Sequence, residues 1–173
     1  MKLVICEFMD DASVAKLAAE FDTLYDPTLV DRRLELLAAL ANADGLIVRN
    51  RTQVDSALLE AAAQLRVVGR LGVGLDNIDL PACESRRIAV IPATGANARA
   101  VAEYVIGTAM ALLREAYTRS TETAYGSWPR TALSNGRELS GKTLGLIGFG
   151  GIGQLTASLA QALGVAVIAH DPM

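Results

Sequence analysis

Apolar residues come in short runs, separated by segments with helical spacing, and this alternation repeats along the whole chain. Residues 3–8 read as a strand and 12–21 as a helix whose Val14, Leu17, Ala18 and Phe21 share one face. A weak strand is predicted over 23–25. A helix follows over 29–42, with Leu34, Leu37 and Ala41 on its apolar side, and then a strand over 46–48. A helix over 56–63 leads to a strand over 67–71 that ends in a glycine-rich turn. Residues 79–87 look helical, with Pro81 in the first turn, where its missing N–H costs little. A last short strand, 89–91, is expected to stop at Pro92. Strands that each hand over to a helix imply right-handed crossovers and a parallel sheet, complete by about residue 95.

The pattern then changes. A long helix is predicted over 98–118, with Asn97 as its N-cap. Residues 124–141 are rich in Gly, Ser, Pro and Asn, hold the one tryptophan, Trp128, and read as a long loop. A strand over 144–147, a glycine-rich turn over 148–153, a helix over 154–163 and a strand over 165–169 follow, with Asp171 just beyond.

Composition narrows the function classes. Hydrophobic residues make up 51% of the 173 and aromatic ones 5%, so the core must be built from Ala, Leu, Val and Ile. The net charge is −3 and the 16 basic residues are scattered, which argues against a nucleic-acid surface. No apolar run reaches the roughly 18 residues of a membrane span, and Asp10 and Asp11 close off any signal peptide. Cys6 and Cys83 lie far apart in apolar surroundings. They read as buried free thiols in a reducing, cytoplasmic setting.

The candidate chemistry centres on Gly148, Phe149, Gly150, Gly151, Ile152 and Gly153, a G-x-G-x-x-G turn between a strand and a helix. Asp171 stands 23 residues beyond Gly148. Gly148 would permit the tight turn, Gly150 would admit a pyrophosphate, and Gly153 would let helix and strand pack closely. The helix N-terminus would present free N–H groups to the phosphates. Asp171 would accept hydrogen bonds from an adenosine ribose and repel a 2′-phosphate, which favours NAD over NADP. The alternative is a glycine turn that only packs a helix on a sheet. Upstream, Gly72, Val73 and Gly74 follow a strand and could expose N–H groups to a carboxylate, or simply make a βα turn. Arg49 and Arg51 flank the end of the third strand. They could clamp a second anionic group, or be surface charge.

Three segments together resemble the NAD-dependent D-2-hydroxyacid dehydrogenase family. They are residues 139–148, reading LSGKTLGLIG, residues 70–79, reading RLGVGLDNID, and Val101, Ala102, Glu103 and Tyr104. The stretches IVRNRT at 47–52 and IPATG at 91–95 look most like its sulfolactate or phosphoglycerate branch, with no choice between the two. The resemblance implies a flavodoxin-like substrate domain over 1–95 and the first βαβ of a Rossmann nucleotide domain over 96–173. It implies an active site in the cleft, a first domain completed by a C-terminal return, and a homodimer formed through the long helix and the loop around Trp128. Tyr104, Ile106, Met110, Leu112 and Leu113 could equally be core. It further implies cofactor contacts from Val101, Gly148, Gly150, Gly151, Ile152, Gly153 and Asp171, and substrate contacts from Arg49, Arg51, Val73, Gly74 and Asn97. The expected ligands are NAD and a small 2-hydroxy acid, with no nucleic acid and no membrane.

In the family, an Arg, a Glu and a His do the chemistry well downstream of the ribose Asp. The expectation is therefore that this chain stops short of them, is a truncated front portion, and is inactive alone. The one histidine, His170, sits beside Asp171 and reads as structural. A non-catalytic NAD-binding or regulatory module, or a formate dehydrogenase-like enzyme, are the other readings.

Overall fold

In the computed structural model, which describes residues 1–115 and 117–172, the chain divides into two compact units, Met1–Thr94 and Gly95–Met173. The first holds the strands β1 (Lys2–Ile5), β2 (Asp22–Tyr25), β3 (Gly45–Val48), β4 (Val67–Arg70) and β5 (Ala89–Pro92). They form one sheet in the order β2-β1-β3-β4-β5, every pair parallel. This is the flavodoxin-like order, and chain direction reverses its sideways progress between β1 and β3.

Alternation along the strands feeds two buried faces. Val4, Cys6, Leu46, Val48 and Val68 point into one continuous apolar cluster, while Leu3 and Ile5, also buried, point to the opposite face. The helices of this unit are α1 (Asp11–Glu20), α2 (Arg33–Leu40), α3 (Ser56–Ala61) and α4 (Leu80–Ser85). Three start on an aspartate whose side chain accepts a first-turn N–H: Asp10 from Ser13, Asp55 from Leu58 and Asp79 from Ala82.

Several expected boundaries move. The first strand ends at Ile5, because beyond Cys6 the chain turns and buries the Glu7 side chain. The helix expected over 29–42 is a 3-10 turn, Leu29–Asp31, followed by α2, broken at Arg32, whose guanidinium reaches Asp26, Thr28 and Glu35. With that restart the apolar face rotates. Leu36 and Leu40 are buried, and Leu34, expected inward, is 82% exposed. None of the residues of α1 is fully buried. Pro92 does not stop β5 short but is its last residue, tolerated because β5 is an edge strand.

The second unit contains α5 (Ala98–Arg114), α6 (Ser120–Ala124), α7 (Arg130–Leu133), β6 (Thr143–Ile147), α8 (Gly151–Ala162) and β7 (Ala166–His170). β6 and β7 pair in parallel across the crossover helix α8, and α5 packs on α8. Among its described residues, Ala102, Thr156, Ala157, Ala160 and Val165 are buried. The long helix expected to reach 118 ends at Arg114, where Glu115 adopts a left-handed conformation; residue 116 of that expected span lies outside the described residues. The long loop expected over 124–141 carries α7, and α6 ends at its start. Asn97 precedes α5 but makes no side-chain capping bond. Instead its carbonyl accepts the Val101 N–H.

Candidate functional site

Open α/β sheets receive ligands at the carboxyl ends of their strands, where the strand order reverses. In the first unit that place is occupied by the turn after β1 and the loop 49–52 after β3. Glu7, 5% exposed, turns its carboxylate onto this loop. Oε1 accepts N–H bonds from Arg49 at 2.8 Å and Thr52 at 3.0 Å, and Oε2 from Asn50 at 3.3 Å and Arg51 at 3.1 Å. Burial alone would raise the carboxyl's pKa. The N–H donors of Arg49, Thr52 and Arg51 outweigh it, so the group is held below its ordinary 4.5. Beside it, burial pushes the Cys6 thiol up to about 11, against a hydrogen bond with Thr52 that lowers it. Cys6 and Cys83 are both free and buried.

The two arginines singled out from the sequence part company here. Arg51 reaches Asp31 through both terminal nitrogens. Both side chains are more than half exposed, so the pair is worth about 1 kcal/mol or less. The expected two-arginine clamp is thus not preassembled. The Arg49 side chain is exposed and makes no hydrogen bond among the described residues.

One strand over, β4 runs into Arg70, Leu71, Gly72, Val73 and Gly74. The register Val48↔Arg70 and the bond from Leu71 N–H to the Val48 carbonyl set this turn beside the Arg49 loop. Neither the Val73 nor the Gly74 N–H donates to another described residue, and Val73 is 46% exposed. Gly72 has φ +156°, and a Cβ there would lie 1.5 Å from Arg70 Nη1. The φ is one that side chains rarely adopt, and a Cβ would in addition have to move the flexible end of the Arg70 side chain, which lies across the turn. Asn77, 4% exposed, closes the group by donating from Nδ2 to the Thr52 carbonyl at 2.7 Å and to the Arg49 carbonyl at 3.5 Å.

Glu7, Arg70 and Asn77 received no role from the sequence. Arg70 and Asn77 lie inside the segment that carried the resemblance. The signal for Glu7 was an acid at the end of an otherwise apolar strand.

In the second unit, Gly148 has φ +94°, outside the range side-chain-bearing residues favour, and its N–H donates to the His170 carbonyl at 2.8 Å. A Cβ on Gly153 would come within 2.5 Å of the Gly148 oxygen, so helix and turn close on each other there. A Cβ on Gly150 would meet nothing within 4 Å. Helix α8 has no side-chain cap, and the N–H groups of Gly150, Gly151, Ile152 and Gly153 donate to no other described residue. Four such donors and the positive end of the helix dipole make an anion-binding terminus. Asp171, directly after β7, accepts the Phe149 N–H, which brings its carboxylate to the glycine turn. Val101 is half-buried in the first turn of α5, and Asn97 is exposed just before it.

Residues 3–147 match the family model described as D-isomer specific 2-hydroxyacid dehydrogenase, catalytic domain. An (S)-sulfolactate dehydrogenase of Chromohalobacter salexigens is 53% identical over 170 residues, which is 98% of this chain and 55% of that protein. The chain thus spans about half the length of this curated relative. Among solved structures, an NAD-dependent formate dehydrogenase of Staphylococcus aureus in complex with NAD matches with a TM-score of 0.78 at 25% identity, over 100% of this chain and 57% of that one. An NAD+-bound 3-phosphoglycerate dehydrogenase of Entamoeba histolytica matches with a TM-score of 0.75 at 26% identity, over 99% and 54%.

Proposed function

We propose, because the chain belongs to the D-isomer specific 2-hydroxyacid dehydrogenase family, that it carries the NAD site and part of the substrate site of an oxidoreductase acting on a small 2-hydroxy acid. The observation that carries this reading is the uncapped N-terminus of α8 with the Asp171 carboxylate fixed beside it.

The residues suit a dinucleotide. The open space over Gly150 admits a pyrophosphate to the backbone, and the N–H groups of Gly150, Gly151, Ile152 and Gly153 hold it. Asp171 takes the adenosine ribose hydroxyls and repels a 2′-phosphate. Val101 adds an apolar contact. Bound NAD would supply the hydride acceptor.

On the substrate side, the unengaged N–H groups of Val73 and Gly74 hold the carboxylate. Arg49 holds a second anionic group, with Arg51 joining when it leaves Asp31. A sulfolactate- or phosphoglycerate-like substrate carries such a group. No general base is assigned among these residues. His170 ends β7 and serves the turn through its carbonyl.

Exposed Tyr104, Leu112 and Trp128, at 74%, 72% and 75%, support a homodimer formed through the second unit. Two free buried thiols support a reducing, cytoplasmic setting. No helix among the described residues is long and apolar enough to cross a membrane.

Fluorescence titration with NADH and NADPH tests the reading. Saturable enhancement by NADH, and binding of NADPH weaker by about tenfold or more, is expected from the charge at Asp171. Equal binding of both would remove Asp171 from the ribose site.

A further inference from the structure

The loop 49–52 is braced from two sides by buried groups to which the substrate reading gives no part. On one side the Glu7 carboxylate takes all four of its consecutive N–H groups. On the other, the Asn77 amide takes the carbonyls of Thr52 and Arg49. Four N–H groups converging at a reversal of strand order form a nest that would suit the anion of a ligand. Here the chain fills it with its own carboxylate. An incoming sulfonate or phosphate therefore cannot use these N–H groups. On this braced loop Arg51 is held by Asp31, and the guanidinium without a partner among the described residues is that of Arg49.

We infer that Glu7 and Asn77 are positioning residues, and that the brace they form sets the affinity of Arg49 for the second anionic group of the substrate. This rests on the reading of Arg49 as an anion-binding residue. An arginine loses much rotamer freedom when it engages an anion, and a mobile backbone beneath it would add to that loss. The brace removes the backbone part in advance. Its two halves act on different atoms of one loop, so loosening either has the same consequence. The sign of the effect separates bracing from simple charge. Neutralising Glu7 takes a negative charge away from the neighbourhood of Arg49, which by electrostatics alone would tighten anion binding. Loss of the brace weakens it.

The test is a titration of the ¹⁵N-labelled chain with inorganic sulfate at constant ionic strength, read on the amides of residues 49–52, apart from the Val73 and Gly74 amides assigned to the carboxylate. The unaltered chain is expected to saturate, and Arg49→Gln to abolish the response. Glu7→Gln and Asn77→Ala are expected to weaken sulfate by about tenfold while the remaining amides keep their dispersion. Glu7→Asp, which keeps the charge, should recover part of the loss. A folded Glu7→Gln chain that binds sulfate as tightly as the unaltered one, or more tightly, overturns the inference. If Glu7→Gln does not fold, unchanged affinity in Asn77→Ala overturns it instead. Absence of saturation in the unaltered chain has a different meaning. It would sink the anion-binding reading of Arg49 itself, and the coupling with it.

Discussion

Single residues at the sheet's carboxyl edge carry most of the testable chemistry. Glu7 has its pKa lowered in the fold, so its contribution to stability is fully present above the ordinary 4.5 and is lost as pH falls through the lower folded value. Acid unfolding followed by circular dichroism should therefore show a steep limb below about pH 4.5 in the unaltered chain and a flatter one in Glu7→Gln. Identical limbs would mean that the four N–H bonds do not govern this titration. Gly72→Ala should cost about 1–3 kcal/mol, because alanine is strained at φ +156° and its Cβ displaces the Arg70 guanidinium. Chemical denaturation measures the cost, and a neutral result would mean that the turn relaxes freely. Sequence alone pointed to Arg49, Val73 and Gly74 through their strand-end positions. It could not reveal that Arg51 is shared with Asp31, or that Glu7 is an internal anion, since both depend on partners 20 and more residues away.

Elements were easier to read than their faces. Each strand of the five-stranded sheet is an apolar run followed by a helical pattern, and that grammar is local. The orientation of α2 is not local. Leu34, Leu36, Leu37 and Leu40 satisfy more than one helical face, and the break at Arg32 decides between them. Leu40→Ala, which empties a fully buried site, should destabilise by about 2–5 kcal/mol. Leu34→Ala, on the solvent side, should stay within about 0.5 kcal/mol. Equal costs in denaturant melts would return α2 to the face first expected. The glycine turn between β6 and α8 was legible as a motif because strand, turn, helix and acid come in sequence order. The short helices α6 and α7 were not, because five and four residues are too few to show a period.

For the whole molecule, the family follows from the match over residues 3–147 and from the (S)-sulfolactate dehydrogenase relative. The first unit has the sheet order that reverses between β1 and β3, where open α/β sheets receive ligands, and the second has a parallel βαβ whose helix N-terminus has no side-chain cap. The homodimer proposed above would cover exposed Tyr104 and Trp128. Sedimentation velocity is expected to find a dimer, and a monomer at all concentrations would contradict that. The claim that the second unit is a dinucleotide site is tested most directly by calorimetric titration of NAD into this chain, with Asp171→Ala alongside. The account requires saturable binding that weakens about 10- to 100-fold in the variant, the loss of hydrogen bonds to a charged acceptor. A folded chain that takes up no NAD, or an Asp171→Ala variant that binds it equally well, would contradict the account.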